Sequence, residues 1–224
     1  MEKNKNFKKF NYWLFDLDNT LYCANNGIFN QIYNRMGKFI SNNLNINIKE
    51  AQVLQKKYFI ENGTTLRGLM THHNIKPKKF LEYVHNIDFG IIKHNEQLNN
   101  LIRKIPGKKI IFTNADTIYV KKILKQLKLI NEFDDIFDIE RAEYKPKPNL
   151  LTYKKLINFY SLNAEETILF DDIPNNLITA AQLGITTVHV YNKYLDKELN
   201  GRSKKIDYMT NNLTEWLQKW MLNN

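Results

Sequence analysis

The feature that most limits how this chain can fold is a series of short apolar runs, separated by helical stripes and ending in polar residues. Tyr12-Trp13-Leu14-Phe15 runs into Asp16. Lys109-Ile110-Ile111-Phe112 runs into Thr113-Asn114. Ile136-Phe137-Asp138-Ile139, Thr167-Ile168-Leu169-Phe170-Asp171 and Thr187-Val188-His189-Val190 follow. Continuous apolar runs of this length read as strands buried on both faces. Between them, 118–129, 150–160 and 176–183 carry helical spacing, the last stopped by Gly184. Alternation of this kind predicts an α/β fold, a doubly wound parallel sheet covered on both sides. One stretch breaks the pattern. From about Leu21 to Gly90 there is no strand pattern, only helical stripes. Ile28, Ile32, Tyr33, Met36, Phe39 and Ile40 form one, and Ala51, Leu54, Tyr58 and Phe59 another, before Gly63. Pro77 opens a third, with Phe80, Leu81 and Val84. The expectation is a Rossmann-like core from residues 1–20 and 91–224, interrupted by an all-helical insert at 21–90. Leu213, Trp216, Leu217 and Trp220 close the chain as a core-packing stripe.

Composition narrows the classes of function. With 224 residues, 43% hydrophobic and 25% charged, the chain has the make-up of a globular protein. No apolar run approaches the length of a membrane span. The basic start, MEKNKNFKKFNYWLFD, has no apolar core or small-residue cleavage site, so no signal peptide is expected. The single cysteine, Cys23, excludes an internal disulfide and a CxxC-type zinc site, and it is expected to be a packed thiol in a cytoplasmic protein. The net charge of +10 is spread over pairs such as Lys56-Lys57, Lys78-Lys79, Lys121-Lys122 and Lys204-Lys205. Without a basic stripe interleaved with aromatics, this reads as a solvated surface that also attracts small anions. A nucleic-acid partner is the weakest of these readings. His72, His73, His85, His94 and His189 show no ligand spacing and are expected to pack or face solvent.

In doubly wound sheets ligands bind at the carboxyl ends of the strands, so the chemistry is expected there. Asp16-Leu17-Asp18-Asn19-Thr20 places two carboxylates two residues apart. Such a pair can serve as nucleophile and general acid/base, or bind a divalent cation. Capping of a turn would use the same residues. Thr113 and Asn114 can hydrogen-bond a phosphoryl oxygen, or cap the helix that follows. Glu143-Tyr144-Lys145-Pro146-Lys147-Pro148 holds two lysines in a stiffened loop, where one could neutralise an anion. Asp171-Asp172-Ile173-Pro174-Asn175-Asn176 sets two acids side by side, which repel unless a cation is near. Each group has a purely structural explanation. Their recurrence at successive strand ends does not.

Together these residues resemble the haloacid-dehalogenase-like hydrolase superfamily. Phe15-Asp-Leu-Asp-Asn-Thr-Leu21 is similar to its first motif, DxDx[TV]. Phe112-Thr-Asn114 resembles the second, Lys147-Pro148 the third, and Leu169-Phe-Asp-Asp-Ile-Pro-Asn-Asn-Leu177 the fourth. The helical insert takes the place of the family's mobile cap domain. The resemblance implies that Asp16 attacks phosphorus to form an aspartyl-phosphate. It implies that Asp18 protonates the leaving alkoxide and then deprotonates the attacking water. It places Thr113 on a phosphoryl oxygen and the third-motif lysine between Asp16 and phosphate. It implies a magnesium ion held by Asp16, Asp172 and the backbone carbonyl of Asp18, with Asp171 beside it. Asn176 stands where the family often has an acid. Lys145 and Lys147 compete as the lysine, and Lys147 is preferred because Tyr153, six residues on, fits an aromatic position of the family's next helix.

The insert resembles a subfamily. Tyr58-Phe-Ile-Glu-Asn-Gly-Thr-Thr-Leu-Arg-Gly-Leu69 is similar to the cap segment of pyrimidine 5′-nucleotidases, as are Tyr83-Val-His-Asn-Ile-Asp88 and Phe137-Asp-Ile-Glu140. The implied activity is magnesium-dependent hydrolysis of a small phosphorylated metabolite, a pyrimidine nucleoside 5′-monophosphate such as UMP or CMP. Alternatives on the same chemistry are a sugar-phosphate or phosphoglycolate-type phosphatase, or a phosphomutase. A dehalogenase has no need of an acid like Asp18. Gly63 and Gly68 are expected to bracket a tight turn that presents Thr64, Thr65 and Arg67 to the substrate.

Overall fold

The computed structural model describes residues 9–25, 27–192 and 205–223. The basic start of the chain and Lys204 lie outside them. Six parallel strands form one sheet in the order β3-β2-β1-β4-β5-β6, with β1 Tyr12–Phe15, β2 Lys108–Phe112, β3 Asp135–Phe137, β4 Thr167–Asp171, β5 Thr186–Val190 and β6 Tyr208–Thr210. The apolar runs form strands because both faces are buried. On one face Trp13, Phe15, Ile111, Ile168 and Phe170 pack with α5 (Glu96–Lys104), α6 (Thr117–Gln126) and α9 (Leu213–Leu222). On the other, Leu14, Ile110, Phe112 and Leu169 pack with α7 (Leu150–Tyr160) and α8 (Pro174–Ala181). Trp216, Leu217 and Trp220 are buried in the first of these clusters, as their spacing implied.

The chain builds β1, β2 and β3 to one side and β4, β5 and β6 to the other. The direction of winding therefore reverses at β1 and β4, which are hydrogen-bonded neighbours. Phe15 is level with Phe170 and Ile111, so residue 16 emerges beside residues 171 and 112. This crevice is where a doubly wound sheet takes its ligand.

Four helices, α1 (Ile28–Leu44), α2 (Ile48–Asn62), α3 (Thr65–His73) and α4 (Pro77–Val84), gather around a separate cluster that includes Phe39, Ile40, Tyr58, Leu69, Phe80 and Val84. Asn47 and Glu50 close a capping box at the start of α2, and Gly63 ends it in the left-handed region at φ 80°. The sheet lends this cluster one residue, Ile139, and packs Tyr144 against it. No helix among the described residues is long and apolar enough to cross a membrane.

Several expectations need correction. The segment from Gly63 to Gly68 is not a turn. Thr64 caps α3, and Gly68 lies inside it, where a Cβ would stand 2.3 Å from Cγ of Tyr58. The glycine serves a close crossing of α2 and α3. Cys23 is exposed, because Leu21 and Ala24 take the inward positions on either side of it. Helix α5 and strand β6 were not foreseen. In α5 a buried Asn99 occupies the apolar stripe and donates to the carbonyl of Leu127 at 2.8 Å. Strand β6 is three half-buried residues on the sheet edge.

Candidate active site

The lysine loop organises the strand ends. Lys147 is buried, and its Nζ donates to Asp16 Oδ1 at 2.8 Å, to Asp171 Oδ2 at 2.7 Å and to the carbonyl of Phe112 at 2.8 Å. Burial opposes its charge, but Asp16 and Asp171 outweigh that and hold its pKa above the ordinary lysine value. Lys145 lies at the surface, 3.7 Å from Glu143. The structure thus brings Lys147, and not Lys145, to the carboxylates. Asn114 fixes this loop: its amide accepts from the Lys147 N–H at 2.8 Å and donates to the Lys147 carbonyl at 3.2 Å. The Asn114 side chain is therefore engaged with the lysine loop. Thr113 is buried, and its Oγ1 accepts from the Ala115 N–H at 3.1 Å, which leaves the hydroxyl proton to donate elsewhere.

The two adjacent acids differ sharply. Asp171 is fully buried. It accepts from Lys147, from the Ile173 N–H at 2.9 Å and from the Asn176 amide at 2.9 and 3.1 Å. An aspartate at 176 would face Asp171 as a second carboxylate, so the amide suits this position. Tyr153 supports the arrangement from below, donating to the carbonyl of Asn176 at 2.9 Å. Asp172 is only half-buried. Its Oδ2 accepts from Asn19 at 3.3 Å, and its carbonyl lies 3.0 Å from His189 Nε2.

Carboxylate oxygens of Asp16, Asp171 and Asp172 lie within 4.8 Å of one another. Three carboxylates here face one ammonium. Burial, joined by the mutual repulsion of the acids, pushes Asp16 well above the ordinary carboxylate pKa; Lys147 opposes this. Burial and Asp171 push Asp172 up to about 7. An oxygen-only donor set with unbalanced negative charge fits a hard divalent cation, with Asp16 and Asp172 as the acids that have oxygens to offer it.

Asp18 faces another way. Tyr22 and Tyr119 both donate to its Oδ1, Tyr119 at 2.8 Å, and the two phenol oxygens are 3.0 Å apart. Burial raises the Asp18 pKa, and the two phenol donors pull against that rise. The first-motif acids are therefore divided: Asp16 toward the lysine and the acid cluster, Asp18 toward two tyrosines. Sequence reasoning passed over Asn19, Tyr22 and Tyr119, while His189 is buried, in keeping with the packing role expected of it. Tyr22 follows Asp18 by four residues, a spacing that could have drawn notice. Tyr119 belongs to the buried stripe of α6 and looks like any core residue.

In the insert, Thr64 and Thr65 are occupied. Thr64 Oγ1 accepts from the Arg67 N–H at 3.2 Å, and the buried Thr65 hydroxyl donates to the carbonyl of Gln55 at 3.1 Å. Arg67 reaches the lysine loop, donating from Nη1 to the carbonyl of Tyr144 at 3.2 Å.

Comparison with known proteins shows the family and the fold. The family model for haloacid dehalogenase-like hydrolases matches residues 13–190. A glyceraldehyde 3-phosphate phosphatase of Methanocaldococcus jannaschii is 29% identical over 228 residues, covering 90% of this chain and 93% of that protein. Phosphate metabolism protein 8 of Saccharomyces cerevisiae is 25% identical over 202 residues, covering 81% of this chain and 62% of the yeast protein. The crystal structure of a phosphatase from Thermococcus onnurineus superimposes with a TM-score of 0.64 at 18% identity, over 94% of this chain and 97% of that one. That likeness is one of fold.

Proposed function

Because the chain belongs to the haloacid dehalogenase-like hydrolase family, we propose that it is a divalent-cation-dependent phosphomonoesterase that works through an aspartyl-phosphate on Asp16. The observation that carries this reading is the Lys147 ammonium shared by Asp16 and Asp171, with Asp172 alongside, at the reversal point of the sheet. A phosphate monoester is an anion and repels a carboxylate nucleophile, so positive charge on both sides is the main requirement of the reaction. Lys147 supplies one part from within the chain. A magnesium ion held by Asp16, Asp172 and the backbone carbonyl of Asp18 would supply the other when bound.

The protein groups then have separate tasks. Oδ1 of Asp16 is held by Lys147 at 2.8 Å, and Oδ2, which accepts a longer bond from the Thr20 hydroxyl at 3.4 Å, is the oxygen that attacks phosphorus. Thr113 donates its hydroxyl proton to a phosphoryl oxygen. Asp18, whose raised pKa favours the protonated form, gives its proton to the leaving oxygen as the ester bond breaks. It then takes a proton from the water that attacks phosphorus and frees Asp16. A dehalogenase would leave the half-buried, tyrosine-bound Asp18 without a task.

For the substrate, we place a pyrimidine nucleoside 5′-monophosphate first. This rests on the insert's resemblance to pyrimidine 5′-nucleotidases and on Arg67, which reaches from the insert to the loop that carries Lys147. A second reading, a three-carbon sugar phosphate, is favoured by the named activity of the Methanocaldococcus relative. Phosphate release should be measured with magnesium on UMP, CMP, a purine monophosphate, glyceraldehyde 3-phosphate and 4-nitrophenyl phosphate, with Asp16→Asn as control. We expect the highest kcat/KM on UMP or CMP, and no turnover by the folded Asp16→Asn protein. A maximum on glyceraldehyde 3-phosphate would move the assignment to the second reading. Turnover by Asp16→Asn would overturn the nucleophile.

A further inference from the structure

Two tyrosines outside the family motifs hold the general acid, and a histidine at the end of the insert's last helix packs on one of them. Tyr22 and Tyr119 both donate to Oδ1 of Asp18. Two O–H donors on one oxygen stabilise negative charge there, so the transferable proton of Asp18 resides on Oδ2. Tyr119 is itself held from above. The ring of His85 lies against it, with centroids 4.3 Å apart and planes 30° apart. His85 immediately follows α4, the last helix of the insert. Its Nδ1 is hydrogen-bonded to Oδ2 of Asp116. Oδ1 of Asp116 accepts from the Tyr119 N–H at 2.9 Å, capping α6 of the core. One carboxylate thus anchors His85 with one oxygen and the start of the Tyr119 helix with the other. His85 and Asp116 are both largely shielded from solvent.

We propose that His85 is a positioning residue that couples seating of the helical insert to orientation of the general acid, through Asp116 and Tyr119. With the insert seated, His85 sits on Asp116, its ring fixes Tyr119, and the Tyr119 hydroxyl holds Asp18 with Oδ2 toward the leaving group. With the insert displaced, Tyr119 loses the ring packed on it, and the acid loses its fixed direction. The acid is then correctly oriented only when the insert is seated. This inference rests on the phosphomonoesterase reading. In the reaction, Oδ2 of Asp16 bonds to phosphorus as the bond from phosphorus to the leaving oxygen breaks, and that oxygen takes the proton from Oδ2 of Asp18. Water then gives Asp18 a proton as its oxygen bonds to phosphorus and the Asp16–phosphorus bond breaks.

The test uses two esters that differ in their need for an acid. An alkyl phosphate has a poor leaving group that must be protonated; 4-nitrophenyl phosphate leaves as a stable anion. In the full-length protein with magnesium, Tyr119→Phe and His85→Ala should each lower kcat/KM on an alkyl phosphate roughly ten- to a hundredfold. On 4-nitrophenyl phosphate kcat/KM should stay within about threefold, because that ratio reports phosphorylation of Asp16. The second half-reaction still needs Asp18, so both variants should show a burst of nitrophenol and accumulate the acid-stable, hydroxylamine-labile phosphoenzyme. His85→Asn, whose amide can still reach Asp116, should recover part of the loss, and thermal melting separates folding effects from kinetic ones. Equal losses of kcat/KM on both esters, or none on either, would overturn the coupling while leaving the phosphatase reading intact. Wild-type protein that releases phosphate from neither ester would overturn that reading, and this inference with it.

Discussion

In the proposed cation site, a proton and the cation would compete for the carboxylate of Asp172. Its pKa is raised to about 7 by burial and by Asp171, against about 3.9 for a free aspartate. Between those values the folded protein holds a proton that the unfolded chain has released. The contribution of this group to stability is therefore present at low pH and lost as pH climbs through about 7. Asp116 and Asp135 are shifted the other way by their His85 and Arg141 partners despite their burial, so their contribution is lost only in more acidic solution. A divalent cation must displace the proton from Asp172. Magnesium affinity should thus rise as pH goes from 5.5 to 7.5, by up to about tenfold per pH unit for each proton released, and level off above. Calorimetric titration in two buffers of different ionisation enthalpy measures both affinity and proton release. Asp172→Asn should weaken binding and flatten the profile. A flat profile in wild type would remove Asp172 from the cation site. The acids themselves were legible in the sequence because a strand end fixes where residues 16 and 171–172 emerge. Their division of labour was less so: that Asn176 and Lys147 claim Asp171 depends on where α8 and the lysine loop fold back.

Helix α3 shows what local sequence conceals about an element. Gly63 and Gly68 are read locally as turn residues, yet only Gly63 has a positive φ. Gly68 is helical, and its missing side chain lets α2 and α3 touch. Tyr58 cannot give way easily. An added Cβ would meet its Cβ and Cγ at 2.4 and 2.3 Å, near the root of the side chain. Its hydroxyl is 2.6 Å from His73 Nε2, and its ring stacks on His72. Alanine is intrinsically better than glycine in a helix by about 1 kcal/mol. The overlap should outweigh that, since forced overpacking costs about 1–3 kcal/mol and the contact here is severe. Gly68→Ala should lower the melting temperature by several degrees, followed by circular dichroism. A higher melting temperature would show that α2 shifts freely. Strands β1, β2 and β4 were legible for the opposite reason. Burial on both faces makes their central positions a continuous apolar run, so their signal does not depend on a partner. Helix α5 interrupts its stripe with Asn99, a residue that makes sense only once the Leu127 carbonyl is in place.

Across the whole molecule, the insert packs on the sheet domain through Ile28 and Ile32 of α1, through His85 on Tyr119, and beside the lysine. Ile139 follows β3 in the chain, yet it is buried in the cluster of the insert with Phe39, Tyr58 and Phe80. Tyr144 packs on the same cluster, and its carbonyl accepts from Arg67. A Cβ at Gly63 would lie 3.6 Å from Pro146, the residue before Lys147. The loop that carries the lysine is thus clamped between the two parts, and displacing the insert would expose Ile139. Exposing a buried isoleucine costs about 1.5–3 kcal/mol, one contribution to holding the insert seated. Ile139→Ala removes most of that contact and leaves a cavity, so it should cost about 2–4 kcal/mol in total. The loss should be uneven. Hydrogen exchange followed by mass spectrometry should speed up across α1–α4 and the 139–148 loop, while β1, β2 and β4 keep most of their protection. KM should rise on every ester, since the effect acts on seating of the insert and not on its contacts to one substrate. Equal loss of protection over sheet and insert would make Ile139 an ordinary core residue. Unchanged exchange in α1–α4 would mean that other contacts hold the insert in place.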